Sequence, residues 1–228
     1  MSRRCLLASV SAARDDFSIT VADTPDLLAE AFRVRHQVYC VERSFENSSN
    51  GLETDGFDDT SRHVLLRHRM TQAVVGTVRV VMPHRAETGA LFPMQAVCAD
   101  PVLRGLPLRS TGEISRFSLS KDRKASAGAA AVFMRLGLMQ GIVQVSRDAG
   151  LTHWCAVMER SLLRLLQSTA IHFRPVGPVV EHHGMRQPAV GKIDDIMARI
   201  HGEARPVWDY ITADGTLWGA PTQHFLAA

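Results

Sequence analysis

Aromatic residues are scarce in this 228-residue chain, at 6%, and its four cysteines stand far apart with no Cys-x-x-Cys pair. Few rings argue against a base-stacking platform for single-stranded nucleic acid, and the cysteine spacing spells neither a zinc knuckle nor a redox motif. Cys5, Cys40, Cys98 and Cys155 suit a reducing compartment, and a cytoplasmic location is expected. A bilayer span needs about 18 uninterrupted apolar residues, and the best candidate, Ala125 to Val145, is broken by Arg135 and Gln140. Internal repeats and low-complexity linkers are absent. The net charge of +3 is mild and forms no clustered basic stripe, so it does not mark a nucleic-acid binder. It does suit an acidic partner docking on one face.

What is present is an ordinary globular composition, 46% apolar and 21% charged, with turn signals scattered rather than gathered at one boundary. The first residues, with Arg3, Arg4 and a short apolar run, read as a disordered tail over 1–14. Residues 15–228 read as a single domain.

Phe17 to Val21 alternates as a strand does, and Thr24 caps a helix that runs to about Arg43, with Pro25 and Asp26 in its first turn. Apolar residues step along that helix by three or four, and Arg35 falls on the same inner face. Residues 44–59 form a polar, acidic loop. Strands follow over 63–67 and 73–82, joined by a hairpin turn. A strand over 113–120 places Ile114, Arg116 and Ser118 on one face and Glu113, Ser115, Phe117 and Leu119 on the other. A helix over about 127–149, a buried strand over 152–158 and a helix over 159–169 come next. Two further strands and one short helix complete the chain. Helices inserted into one mostly antiparallel mixed sheet give an α/β (α+β) class with helices on both faces.

Glu53, Asp55 and Asp58 lie within six residues on the acidic loop, so their repulsion must be offset by something positive. A metal is one candidate, although the twelve-residue calcium-loop pattern is missing. Arginine partners are the other, and Arg35, Arg79 and Arg116 occupy helix or strand positions where an apolar core would refuse them. Buried arginines need carboxylates, and Arg35, Arg79 and Arg116 balance against Asp55, Asp58 and Glu113 as three pairs. Such a network either braces the fold or shapes a polar pocket for a zwitterionic substrate.

Arg35-x-x-x-Tyr39, Glu53-x-Asp55-x-x-Asp58, Gly76-x-x-Arg79 and Glu113-x-Ser115-Arg116-Phe117 follow one another in this order. Together they resemble the signature of the acyl-homoserine-lactone (autoinducer) synthase superfamily, which also holds N-acyl amino acid synthases and acyltransferases of PEP-CTERM/exosortase systems. The resemblance is dense from Arg35 to Leu119 and architectural beyond. It implies an acetyltransferase-like (GNAT) fold and transfer of a fatty acyl group from a thioester on acyl carrier protein to an amine. No bound cofactor or metal is implied.

An ammonium cannot attack a thioester, so a carboxylate must accept its proton, directly or through water. Glu113 is the first candidate and Glu53 the second, with main-chain N–H groups of the strand ending near Ser120 holding the oxyanion. The resemblance implies that Arg35, Tyr39, Asp55, Asp58, Arg79, Arg116 and Phe117 build and brace the acceptor pocket. Autoinducer synthases typically carry a tryptophan six residues after the Tyr39 position, where it helps to enclose S-adenosylmethionine, and here Phe45 stands there. An amino acid or similar small amine is therefore the expected acceptor, with S-adenosylmethionine the alternative. The C-terminal stretch His182-His183-Gly184-Met185-Arg186-Gln187-Pro188 resembles the PEP-CTERM-associated branch most closely. A catalytically idle domain that binds an acyl chain or carrier protein is the rival from a different class.

Lys121, Arg123 and Lys124 stand where coenzyme A-dependent members of the fold carry a glycine-rich pyrophosphate loop, and they form an expected dock for the acidic carrier protein, with Arg135 and Arg147 as extensions if they face outward. His182 and His183, adjacent on a strand, would point to opposite sides and share no metal. Met134, Met139 and Met158 fill core or line an acyl tunnel. Cys155, within a buried strand, reads as inert packing.

Overall fold

A computed structural model describes residues 14–83, 92–98, 101–122 and 131–221. The tail expected over 1–14 lies outside the described residues, apart from Arg14, which opens a 3-10 turn ending at Asp16. Strand β1 (Phe17–Ala22) follows, and Thr24 then accepts a hydrogen bond from the Leu27 N–H at 3.4 Å. That cap starts helix α1 (Pro25–His36), with Pro25 at a position whose N–H would have no helical partner. Asp26 at its start and Arg33, Arg35 and His36 in its last turn complement the helix dipole.

The helical path runs on to Glu42, close to the expected end near Arg43, but its last turn is not α-helical. Residues Gln37–Glu42 form a π-helical turn. The wider turn changes which side chains face inward, and Val38 and Tyr39, neighbours in sequence, are both buried.

Strands β2 (Ser61–His68), β3 (Val74–Val81), β4 (Thr111–Leu119), β5 (His153–Glu159), β6 (Arg174–Pro175), β7 (Val180–Glu181) and β8 (Met185–Lys192) join β1 in one sheet. The order is β1-β2-β3-β4-β5-β8-β6, with β7 paired to β8, and the β4–β5 pair is parallel where the others are antiparallel. The first of the two strands expected near the C-terminus shrinks to the two-residue β6 and β7. Pro175 and Pro178 have no N–H to offer a ladder.

Helix α2 (Met94–Val97) precedes β4; helices α3 (Ala131–Asp148) and α4 (Arg160–Ser168) flank β5 in the chain. Residues on β2 alternate between two cores. Val64 and Leu66 join the main core with α3, while Leu65 joins Ala31 and Val34 of α1 on the opposite face. Gly141 sets how closely α3 approaches, because a Cβ there would overlap the Val64 side chain. Helix α5 (Ile193–Glu203) was expected, but a second helix after it, α6 (Arg205–Thr212), was not. Ala204, at φ −147° and ψ 58°, breaks the helical path, and Pro206 in the next first turn allows it to restart. Val207, Trp208, Tyr210 and Ile211 of α6 are buried in the main core.

Parallel pairing of β4 and β5 stops after Thr111↔His153, Gly112↔Trp154 and Glu113↔Cys155. Beyond that point the two strands part and a cleft opens between them. Among the described residues no helix is long and apolar enough to cross a membrane.

Candidate active site

The acidic loop folds its carboxylates inward through its own backbone. The Asp55 N–H donates to Asp58 Oδ2 at 2.7 Å, the Phe57 N–H donates to Asp55 Oδ1 at 2.9 Å, and the Glu53 N–H donates to the Phe32 carbonyl at 3.2 Å. Three arginines from three elements meet them. Arg35 of α1 reaches Glu53 Oε2 through Nε and Asp58 Oδ1 through Nη1, both at 2.5 Å. Arg79 of β3 reaches Asp55 Oδ1 at 2.5 Å and Asp58 Oδ1 at 2.7 Å. Arg116 of β4 reaches Glu53 Oε1 at 3.0 Å and Asp55 Oδ2 at 2.9 Å. Three positive and three negative charges thus cancel, and arginine is the partner of these carboxylates.

The pairing expected from sequence is corrected in one member: Glu53, not Glu113, is the third carboxylate of the network. Sequence order concealed this because Glu113 shares β4 with Arg116, whereas Glu53 comes from a loop whose course only the fold sets. Burial by itself would raise the Glu53 carboxyl, but the hydrogen bonds and charges of Arg35 and Arg116 outweigh it and hold the pKa below its ordinary value. For Asp55 the same contest with burial is won by Arg79 and Arg116, which bring it to about 2. His63, buried beside the network and 3.6 Å from Asp58, is lowered to about 4 by its burial and by the Arg35 cation.

Strict alternation on β4 would send Arg116 away from Ser115. Instead Arg116 has φ 50°, and the β3–β4 register shifts between Thr77 and Arg79. This bulge corrects the expected facing. Arg79 Nε donates to Ser115 Oγ at 3.0 Å, and Arg116 joins the same network one residue later.

Glu113 takes no part in the ion pairs. It is 2% exposed, and its Oε2 accepts from the Met94 N–H at 2.8 Å. Burial drives its carboxyl up to about 8, against the opposing pull of that N–H and of Arg79 and Arg116. It lies at the point where β4 and β5 part, behind the residues that line the cleft.

The cleft has a volume of about 330 Å³. One wall is polar and aromatic: Tyr39 and Phe45 stand with ring centroids 6.2 Å apart, and the Arg116 guanidinium lies 5.0 Å over the Tyr39 ring. Phe117, Met139 and Met158, together with Leu162, Leu165 and Phe173, make the apolar part, while Met134 belongs to the core. Four charged residues that sequence reasoning did not assign to the site also line it: Arg43, Arg135, Glu159 and Arg186. Arg135, which would extend the docking surface only if it faced outward, lines the cleft instead. Arg147 faces outward and pairs with Asp148 at 2.7 Å. No local signal distinguishes these two arginines of α3, because the difference is which face of the helix meets the parted strands.

His182 and His183 are not on a strand, as expected, but in a turn where His183 has φ 52° and Gly184 φ 92°. Their rings lie 4.6 Å apart. His183 stacks on Phe45 at 5.5 Å and meets Glu46 Oε1 at 2.8 Å through Nε2. Among the described residues no group of three or more His, Cys, Asp or Glu could hold a metal. Lys121 is exposed and its N–H donates to Glu42 Oε1 at 3.0 Å, while Arg123 and Lys124 lie outside the described residues. Burial raises the Cys155 thiol well above its ordinary value, which leaves it unreactive.

A family model described as an acetyltransferase (GNAT) domain matches residues 34–134. The isovaleryl-homoserine lactone synthase of Bradyrhizobium diazoefficiens is 26% identical over 155 residues, which cover 67% of this chain and 66% of that protein, just under two thirds of its length. Among solved structures, the AHL synthase LasI superposes with a TM-score of 0.64 at 16% identity, covering 91% of this chain and 98% of that one. FeeM, an N-acyl amino acid synthase from uncultured soil microbes, superposes with a TM-score of 0.58 at 11% identity, covering 80% of this chain and 93% of that one.

Proposed function

We propose that this chain, which resembles the autoinducer synthases and N-acyl amino acid synthases in sequence and fold, is an acyltransferase that moves a fatty acyl group from a carrier-protein thioester to the amino group of an amino acid or similar small amine. The observation that carries this reading is the cleft opened where β4 and β5 diverge, apolar on one side and lined by Arg116, Tyr39 and Phe45 on the other. A thioester lying between the parted strands has its acyl chain against Met139, Met158 and the leucines of α4. Its carbonyl carbon then faces the wall on which an amine would rest.

The three paired arginines and carboxylates have no net charge left over, so their role is to hold Tyr39, Ser115 and Arg116 in place. Glu53 belongs to that bracing set, because both its oxygens are engaged by cations. Glu113 is the proton acceptor of this reading. A carboxyl near 8 matches an ammonium far better than an ordinary one does, and the transfer passes through water because Glu113 lies behind the cleft wall. The amine then attacks the thioester carbonyl, backbone N–H groups on the unpaired edge of β4 receive the oxyanion, and collapse breaks the C–S bond. The second proton lost by nitrogen goes to the departing sulfur, which leaves as a thiol, and the proton held by Glu113 returns through water to solvent.

Phe45 in place of the tryptophan typical of autoinducer synthases, narrowed further by the stacked His183, favours a compact amino acid over S-adenosylmethionine. The His182-His183-Gly184 turn supports a place in the PEP-CTERM-associated branch. Lys121, with Arg123 and Lys124, is the proposed dock for an acidic carrier protein, in keeping with the surplus of basic residues.

Mass spectrometry of lipid extracts from a bacterial host expressing the protein, set against the Glu113→Gln variant, tests the reading. N-acyl amino acids that vanish in the variant support it. Acyl-homoserine lactones would transfer the case to the S-adenosylmethionine-dependent activity, and an absence of any new acyl amide from well-folded protein would leave a binding domain in its place.

A further inference from the structure

One cation in the cleft, Arg135, has no hydrogen bond or direct ion pair among the described residues, and Glu159 acts on it only as a nearby charge already paired with Arg43. Arg135 lies one helical turn from Met139 on the inner face of α3 and lines the cleft. Of the other arginines there, Arg116 is neutralised by Glu53 and Asp55. Arg43 and Arg186 share a single carboxylate, Glu159, at 3.0 and 3.7 Å. The cleft therefore carries two more positive charges than negative ones, in a setting where burial already pulls the Arg135 pKa down. A half-buried guanidinium that shares one already paired carboxylate, Glu159, with two other arginines is under-compensated in the empty protein, and an arriving oxyanion relieves that while fitting its fork of donors.

Resting on the acyltransferase reading, we propose that Arg135 is an oxyanion site for the acyl donor, taking either the phosphate of its pantetheine arm or a carboxylate at the far end of its acyl chain. Arg135 is on α3, on the donor side with Met139, whereas Arg116, Tyr39 and Phe45 form the acceptor wall across the parted strands. The charge surplus is thus aimed at the donor. Plain alkyl chains have nothing to offer it, so this residue sets which thioesters are preferred.

Calorimetric titration with four thioesters tests this directly: octanoyl and octanedioyl groups, each on pantetheine and on phosphopantetheine. Arg135→Met is expected to weaken binding of the oxyanion-bearing donors by about 10- to 100-fold while leaving octanoyl-pantetheine unchanged. A loss that follows the phosphate identifies the pantetheine arm as the source, and a loss that follows the octanedioyl group identifies the acyl end. Arg135→Lys keeps the charge without the fork and should retain an intermediate affinity. The thermal midpoint of empty Arg135→Met should equal or exceed that of the wild type, which separates a ligand site from a structural one. Equal losses for all four donors, or none, overturn the proposal alone. Failure of the wild type to bind any of the four would overturn the acyltransferase reading with it.

Discussion

Arg35 and Glu53 are fully and almost fully buried, 0% and 4% exposed, and meet at 2.5 Å between Nε and Oε2. The pair joins the inner face of α1 to the acidic loop, and Arg116 clamps the other Glu53 oxygen from β4. One carboxylate therefore fastens helix, loop and sheet together beside the cleft.

Glu53→Gln should leave two buried guanidiniums short of charge. Breaking one side of such a buried network typically costs about 3–5 kcal/mol, and urea denaturation should show a loss of that size. A midpoint matching the wild type would mean the network contributes nothing to folding.

Glu113 gives a prediction in rate and one in stability. Acyl transfer should rise with pH through about 8 as this carboxyl ionises, and Glu113→Gln should lose about 100-fold or more in turnover. For stability, the carboxyl ionises near 4.5 in the unfolded chain but near 8 in the fold, so between those values the unfolded chain has already lost the proton that the fold retains. Stability should therefore decline as pH rises across this window, by on the order of 5 kcal/mol at most from this group, and level off above it. Thermal unfolding of Glu113→Gln across the same pH range should lack that decline.

Acid acts through different groups. His63 stays neutral in the fold down to about 4 but ionises near 6.5 when unfolded, so stability should fall as pH drops from about 6.5 through 4. Asp55, held at about 2, adds a further loss as pH falls below about 3.8 toward that value. His63→Gln should flatten the first part of the acid limb and leave the second, as read from thermal midpoints in a pH series.

Two helical glycines should respond oppositely to alanine. Gly141→Ala forces a methyl into the Val64 side chain and should destabilise by about 1–3 kcal/mol despite better helix propensity. Gly202→Ala, with open space around its Cβ position, should stabilise α5 by up to about 1 kcal/mol. Chemical denaturation of the two variants compares them directly.

Much of this protein is determined by local sequence. The Thr24 cap with Pro25 and Asp26 starts α1, the Val-rich stretches make β2 and β3, and the spacing of Arg35, Asp55, Asp58, Arg79 and Arg116 announces a buried ionic cluster, because charges in apolar settings require each other. Those are consequences of propensity, periodicity and charge cost, which act over a few residues or demand a partner wherever it lies. Tertiary structure decided the rest. Which carboxylate becomes the third member, Glu53 or Glu113, depends on where a loop crosses the sheet. Whether Arg116 joins Ser115 depends on a bulge that breaks a two-residue period. The π turn that buries Tyr39 beside Val38, the restart of helix at α6, and the inward face of Arg135 all follow from packing between segments distant in sequence. The cleft itself exists only because β4 and β5 keep three paired positions and then separate, a relation between two strands that neither strand's residues encode alone.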